Sequence, residues 1–421
     1  MNRSEAVGNR VRRLMQVRPG EVRVALWAFG YFFFVLAGYY IIRPMRDAMG
    51  VAGGVRNLPW LFTGTMLVML AVNPAFAALV SRWTRRRFIS FTYRFFMANL
   101  VLFFLLFRYL PVEGHLMLGR VFYIWSAVFN LYVVSVFWAF AADTFKPGQG
   151  KRLFGFLGLG GTLGAICGSA ITTLAAERID PAWLLLLSVL LLELAVRCSR
   201  QAGAADTDPP PRQPIGGGAL AGLGHVARSP YLLGICVYML LYTVLSTFLY
   251  FQQASIVEVS FLDQGTRTGF FARIDLAVNL LTILTQLFLT GRVIRLLGVG
   301  LTLALLPLIC IVGFTGLGLA PTLTAIVLFQ VLRRSGNYAL ARPAREVLYT
   351  VVPREDKYKA KSFIDTFVYR GGDQIGAWAW ALMGRLGVGV SGIAWVAVPL
   401  AGLWFAVALW LGKRQKRYET Q

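Results

Sequence analysis

The residues of this chain that are best suited to chemistry are arginines inside long apolar stretches. Arg333 and Arg334 follow Pro321 closely enough to lie roughly 18 Å along a helix that rises about 1.5 Å per residue. That depth is near the middle of a membrane core about 30 Å thick. Adjacent helical residues diverge by about 100°, so the two side chains cannot both face lipid, and at least one must face the interior. Asn337 lies one turn after Arg333 on the same face. Arginine in such a place suits bidentate binding of phosphate or carboxylate oxygens.

A second charged pair lies in the next apolar stretch. Arg370 is expected roughly 14 Å deep, counted along a helix from Lys361. Asp373 is three residues further on and can pair with Arg370. Two interpretations stay open, because the pair either contributes to a substrate site or only holds helices together.

Arginines also mark the end of the first apolar stretch and one position of the fourth. Pro44, between Arg43 and Arg46, is predicted to break the helix and turn its end towards an interior cavity. Interfacial snorkelling of the two arginines is the alternative. Arg120 is a weaker candidate, and Gln252-Gln253 is interpreted as a wet helix end. The predicted substrate-binding set is Arg43, Arg46, Arg120, Arg333, Arg334, Asn337, Arg370 and Asp373.

The elements that must position these residues are twelve apolar stretches, each about as long as the roughly 20 residues needed to cross a bilayer as a helix. The chain is 57% hydrophobic and 14% charged, whereas soluble domains carry about 25% charged residues. The prediction is an all-α polytopic membrane protein of about twelve transmembrane helices. In chain order the predicted spans 1 to 12 are 24–42, 58–80, 88–107, 116–142, 153–175, 183–196, 232–253, 270–289, 297–319, 323–340, 362–383 and 390–411.

The basic residues predict the topology. The formal net charge is +23, and most of the 42 Lys and Arg residues lie in the tails and in every second loop. This is the positive-inside pattern, so both termini are expected in the cytoplasm, and the charge does not indicate nucleic-acid binding. Basic loops also favour anionic lipid headgroups.

The predicted organisation has two bundles of six helices. An amphipathic cytoplasmic segment at 1–23 precedes a first bundle at 24–198, and a Pro- and Gly-rich cytoplasmic linker at 199–229 precedes a second bundle at 230–412. A basic tail occupies 413–421. Gly160-Gly161-Thr162-Leu163-Gly164-Ala165 in span 5 and Gly371-Gly372-Asp373-Gln374-Ile375-Gly376-Ala377 in span 11 read as a diverged repeat. Small residues four apart let helices approach closely, so tight packing alone also explains these glycines. Two pseudo-symmetric six-span halves are the plan of major facilitator transporters.

Several function classes find no support. There is no Walker-type loop for ATP hydrolysis. The two histidines lie in loops or at span ends, and the four cysteines show no paired spacing. We therefore expect no enzyme activity, no metal site and no cofactor.

Three segments carry a resemblance to a known family. They are Arg342-Pro343-Ala344-Arg345-Glu346-Val347-Leu348-Tyr349, Lys359-Ala360-Lys361-Ser362-Phe363-Ile364-Asp365 and Arg370-Gly371-Gly372. Together they resemble the ATP/ADP antiporter (nucleotide transporter) family of plastids and intracellular bacteria, a divergent branch of the major facilitator superfamily. Ile42-Arg43-Pro44-Met45-Arg46-Asp47 is similar to that family's Leu-Arg-Asp-x-Lys-Asp, and Arg46 falls at its functionally important lysine. The resemblance implies a cytoplasmic gating set of Arg342, Arg345, Glu346, Lys361 and Asp365.

The function expected from these features is secondary transport of an organic anion by alternating access. The family has a functional glutamate early in span 4, where this chain has Trp125, Ser126, Phe129 and Asn130. The substrate therefore stays open between a nucleotide and another phosphorylated or carboxylated anion. A membrane protein of this fold that handles lipid or acts as a sensor is the alternative. The expected partners are a small anionic substrate and the lipid bilayer, with no nucleic acid. The expected state is a monomer in a bacterial inner membrane.

Overall fold

The computed structural model describes residues 21–145, 147–203, 226–352, 360–361 and 363–419, and these are almost entirely helical. Most of the predicted segment 1–23 and of the linker 199–229 lies outside the described residues, as do Arg354, Lys357 and Lys359. The helices of the first half of the chain are α1 (Val22–Ala52), α2 (Leu58–Arg82), α3 (Arg85–Tyr109), α4 (Val112–Thr144), α5 (Pro147–Ala175) and α6 (Ala182–Ala202).

The second half contains longer helices and two short π-helical segments. They are α7 (Pro230–Ser260), α8 (Gln264–Phe288), α9 (Thr290–Leu319), α10 (Leu323–Gly336), π1 (Asn337–Ala341), α11 (Arg342–Leu348), π2 (Ile364–Val368), α12 (Tyr369–Arg385) and α13 (Val390–Glu419). Gly298 has a φ of 74°, which a residue with a side chain rarely adopts, and this interrupts the regular helix near the start of α9.

Ten helices in the described part of the chain are long and apolar enough to cross a membrane. This confirms an all-α polytopic membrane fold. The two predicted spans missing from that count are spans 10 and 11, each of which is interrupted. Span 10 divides into α10, π1 and α11, while span 11 begins with π2 and continues as α12. The hydropathy of these segments predicted a span but not the change in helical winding.

The first helix differs from the prediction at Pro44. Instead of ending there, α1 continues through Pro44 to Ala52, and Pro44 is buried. Proline removes only one helical hydrogen bond, whereas an unwound end would expose several backbone groups to lipid. Arg43 and Arg46 therefore lie inside a continuous helix rather than on a turned end.

One compact unit comprises the described parts of Met1–Ala52, Leu67–Arg212 and Asp263–Leu276. Within it α1 packs against α4, α5 and α6. The rings of Phe32 and Phe137 stack with their centroids 3.9 Å apart. A Cβ on Gly164 of α5 would overlap the main-chain oxygen of Phe33, so this glycine is required for the close approach of α5 to α1.

The other unit comprises the described parts of Gly53–Met66, Gln213–Leu262 and Ala277–Gln421. Within it α7 packs against α12 and α13, and α9 packs against α13. A Cβ on Gly372 of α12 would overlap Thr243 of α7. In each unit a glycine-bearing helix thus lies against a long helix, as the diverged glycine repeat suggests. The division into bundles at 24–198 and 230–412 stays a prediction.

Candidate functional site

Arg333 lies in the packing between α10 and α7. Only 7% of its surface is exposed. Its guanidinium donates to the Ser246 hydroxyl of α7 and, at 3.3 Å, to Gln330 Oε1 one turn earlier on α10. Gln330 Nε2 in turn donates to Gln253 Oε1 at 2.5 Å. A chain of polar groups therefore holds a buried cation against α7.

Asn337 extends this arrangement by one turn. Its Nδ2 donates to the Tyr242 hydroxyl of α7 at 2.9 Å. Tyr242 and Ser246 are four residues apart and therefore share one face of α7, on which Gln253 also lies. Arg333 and Asn337 both contact that face, in agreement with their predicted common side. Arg334, on the neighbouring side of α10, is half-buried.

Hydrogen bonds from two other helices stabilise the π1 segment. A π-helix shifts the backbone bonding, and π-helical turns are frequent at functional sites. The Tyr338 oxygen accepts from Gln286 Nε2 of α8 at 3.3 Å, and the Ala339 oxygen accepts from the Thr290 hydroxyl of α9 at 2.7 Å. Side chains of two other helices thus bind the carbonyls of π1 and hold the change of winding just after Arg333.

Arg370 and Asp373 form the ion pair expected from their spacing. Arg370 Nη1 lies 3.7 Å from Asp373 Oδ2 on α12, and 39% of the Arg370 side chain is exposed. This separation is long compared with the usual ~2.8 Å of a charged hydrogen bond. The Thr247 hydroxyl of α7 donates to the other carboxylate oxygen at 3.4 Å. The guanidinium is therefore held loosely and stays accessible for an anion.

The remaining predicted arginines form a separate cluster in the first unit. Arg43 Nε lies 3.6 Å from Asp275 Oδ2 of α8, and Asp275 is buried. Arg46 Nη2 lies 2.6 Å from Asp47 Oδ1. The Arg46 guanidinium also lies over the Tyr123 ring at 5.0 Å.

Arg120 lies on α4, the helix that carries Tyr123. It is half-buried and precedes Tyr123 by three residues on α4, so their side chains share one side of that helix.

The predicted gating residues form two ion pairs, one between α11 and Lys361 and one between α11 and π2. Lys361 Nζ lies 2.5 Å from Glu346 Oε2, and Arg345 Nη2 lies 3.7 Å from Asp365 Oδ1. The fifth member, Arg342, lies over the Tyr338 ring at 5.9 Å. Partly exposed ion pairs contribute about 0–1 kcal/mol each, so these pairs can break at little cost.

The polar residues that sequence reasoning missed are on α7. Gln253 is buried and bonded to Gln330, and Gln252 is buried with its Nε2 donating to the Val390 oxygen at 3.2 Å. The interpretation of both as a wet helix end is therefore wrong. The spacing of Tyr242, Ser246 and Gln253 in the sequence already indicates that they share one helical face. In the described part of the chain no group of three or more His, Cys, Asp or Glu residues could hold a metal ion.

Comparison with known proteins finds similarity to several transport proteins. No family model matches it. ADP,ATP carrier protein 1 of Chlamydia trachomatis is 23% identical over 346 residues, which cover 70% of this chain and 64% of the carrier. ADP,ATP carrier protein 1 of Chlamydia muridarum is 22% identical over 86% of this chain and 82% of that carrier.

This chain is a distant homologue of the chlamydial ADP,ATP carriers. The match to the first of them spans a little under two thirds of its length. The expected likeness to this group of carriers is therefore confirmed at low identity, over much of the chain. The chain is a multi-pass integral membrane protein.

Solved structures agree on the fold. An auto-inhibited peptide transporter of the POT family superposes with a TM-score of 0.64 at 14% identity, over 94% of this chain and 97% of that one. The nucleoside transporter NupG superposes with a TM-score of 0.58 at 13% identity, over 94% of this chain and 99% of that one. At such low identity these likenesses show the fold alone, which is of the major facilitator type.

Proposed function

We propose that this protein is a secondary transporter that moves an organic anion by alternating access. The substrate is a nucleotide or another phosphorylated or carboxylated small molecule. The homologues named as ADP,ATP carriers support the transport role and a nucleotide as the first substrate to test. The major-facilitator-type fold supports the mechanism.

The observation that carries the anionic substrate is the state of Arg333. Its two terminal nitrogens donate to Ser246 and Gln330. Its Nε is buried and has no hydrogen-bond partner among the described residues. A buried donor without an acceptor costs about 1–3 kcal/mol. A phosphate or carboxylate oxygen at Nε would remove that cost, and arginine binds such oxyanions through paired N–H groups.

Arg370 supplies the second positive charge. It is more exposed than Arg333 and is paired only loosely with Asp373. Arg333, Arg334 and Arg370 carry three positive charges against the single negative charge of Asp373, so the site keeps a positive balance. This balance favours anions that carry more than one negative charge.

The ion pairs of the gating set complete the proposal. Lys361–Glu346 and Arg345–Asp365 connect α11 to the start of span 11, on the side we place in the cytoplasm. We propose that these pairs hold the ends of spans 10 and 11 together in one state of the transport cycle and separate in the other. We further propose that the protein acts as a monomer in a bacterial inner membrane with both termini in the cytoplasm.

Ligand-induced thermal stabilisation of the purified full-length protein tests the anion site. We expect ADP and ATP to raise the Tm saturably, since a ligand at a hundred times its Kd adds about 2.7 kcal/mol. Adenosine, which lacks phosphate, is the matched ligand control and should have little effect. Arg333→Gln should remove the response, whereas Arg385→Gln at the exposed end of α12 should keep it.

Two results would overturn the anion site. One is an equal response to adenosine and ADP. The other is an unchanged ADP response in Arg333→Gln. If Arg333→Gln is unstable, Arg333→Lys keeps the buried charge but loses the paired donors, and it should bind ADP at least tenfold more weakly.

A further inference from the structure

A cavity of about 650 Å³ lies between α3 and α6 of the first unit, and none of its lining residues belongs to the site described above. It is lined by Arg86, Arg87, Ser90, Phe91 and Arg94 of α3 and by Arg200 of α6. Arg200 Nη2 donates to the Ser90 hydroxyl at 3.1 Å, which ties the two helices together at the cavity.

The cavity has a strong positive charge. Its lining carries four arginines and no carboxylate. Glu193 of α6 is close to Arg94, but the same carboxylate oxygen also lies 3.5 Å from Arg197. This acid is therefore shared between two arginines and offsets little of the field at the cavity.

The cavity lies at the end of a lipid-facing stripe. Arg86 and Arg87 are in the first turn of α3, at the end we place in the cytoplasm. Arg94 is roughly 11 Å further along the helix. This distance exceeds the thickness of a headgroup layer, about 6 Å, so the cavity is long enough to reach from that layer into the apolar core. Phe91, Phe95 and Leu102 lie on one face of α3, and all three are exposed.

We propose that this cavity binds the phosphate headgroup of an anionic phospholipid, with the acyl chains along the exposed α3 stripe. Guanidinium groups match phosphate oxygens in charge and geometry. A free phosphate or a soluble anion would use the arginines but would gain nothing from the apolar stripe. The arginine-lined cavity and the apolar stripe together fit only a molecule that is charged at one end and apolar at the other.

Lipid titration of the purified full-length protein, followed by native mass spectrometry, tests this site. The probes are cardiolipin, phosphatidylglycerol and phosphatidylcholine, and inorganic phosphate is added separately as a competitor. We expect cardiolipin to bind most tightly, phosphatidylglycerol next and phosphatidylcholine least. Added salt should weaken the binding of the first two.

The variant is Arg86→Gln with Arg87→Gln. Both side chains are exposed, so folding should be little affected. We expect cardiolipin to bind about 30-fold more weakly, from the usual contribution of each basic residue near an anionic surface. The matched control, Arg292→Gln with Arg295→Gln, removes two exposed arginines from α9 and should bind cardiolipin as the wild type does.

Several outcomes would overturn the proposal. They are equal binding of cardiolipin and phosphatidylcholine, binding that salt does not change, and an equal loss in the two double variants. Displacement of cardiolipin by an equimolar amount of inorganic phosphate would assign the cavity to a soluble anion and would equally overturn the lipid site.

Discussion

The replacement of Arg370 by alanine separates a substrate-binding role from a structural one. Arg370 contacts Asp373 across 3.7 Å, and Thr247 donates to the same carboxylate. If Arg370 binds substrate, Arg370→Ala removes a contact to an oxyanion. If it only holds Asp373, the same change leaves a mostly buried carboxylate with one hydroxyl donor.

The two roles differ in the size of their effects. The side chain of Arg370 is 39% exposed, so solvent screens its pairing with Asp373, and the pair should contribute at most about 1 kcal/mol to stability. A desolvated contact to a phosphate or carboxylate should contribute about 2–5 kcal/mol to binding. Since about 1.4 kcal/mol is a tenfold change, substrate affinity should fall roughly 30-fold or more.

The assay combines uptake into proteoliposomes with thermal unfolding of the same preparations. Arg370→Ala should lose transport with a small change in Tm, and Arg370→Lys should recover it only in part, because an ammonium group cannot form the bidentate contact. Arg385→Ala, at the exposed end of the same helix, is the control and should transport normally.

The double variant Arg370→Ala with Asp373→Ala tests whether Arg370 has only a structural role. Under a purely structural role, any loss of transport in Arg370→Ala should come only from the unpaired Asp373, so adding Asp373→Ala should restore both stability and transport. Full transport by that double variant would end the assignment of Arg370 to the substrate site.

Three other predictions follow from the structure. Gly164→Ala should lower the Tm by several degrees because its Cβ would overlap the Phe33 oxygen. The control, Gly158→Ala on the same helix, meets no atom within 4 Å and should leave the Tm unchanged or raise it. Equal effects of the two changes would refute the close approach of α5 to α1. Glu346→Lys should slow transport by opposing Lys361, and adding Lys361→Glu should restore it; failure of the exchanged pair would remove this contact from the gate. A green fluorescent protein fused to the carboxyl end should fluoresce, as expected of a cytoplasmic terminus, and a dark but stable fusion would reverse the topology.

The sequence predicted most of the helical architecture. Length and hydropathy located each apolar span, and the glycine repeat pointed to the close packing seen at Gly164 and Gly372. These features are readable because they depend on local composition and spacing. The spacing of Arg370 and Asp373 likewise predicted their ion pair, since residues three apart share a helical face.

The sequence-based predictions were wrong where contacts with residues distant in the chain determine the local structure. Pro44 does not end α1, because the surrounding helices and lipid favour a continuous helix over one lost hydrogen bond. The π1 winding depends on donors from α8 and α9, which are far away in sequence. The role of Gln253 depends on Gln330 of α10. No single-sequence pattern specifies such partners.

The central claim, anion transport by alternating access, is tested most directly by counter-substrate exchange in proteoliposomes. Vesicles that contain the full-length protein are loaded with unlabelled ADP, ATP, a simple dicarboxylate or buffer, and labelled ADP is added outside. We predict that label accumulates transiently in vesicles loaded with a transported anion, and that Arg333→Gln abolishes this accumulation. The same experiment is repeated with labelled ATP and a labelled dicarboxylate outside. If none of the three labels accumulates, in vesicles where the protein is folded and correctly inserted, the account is contradicted.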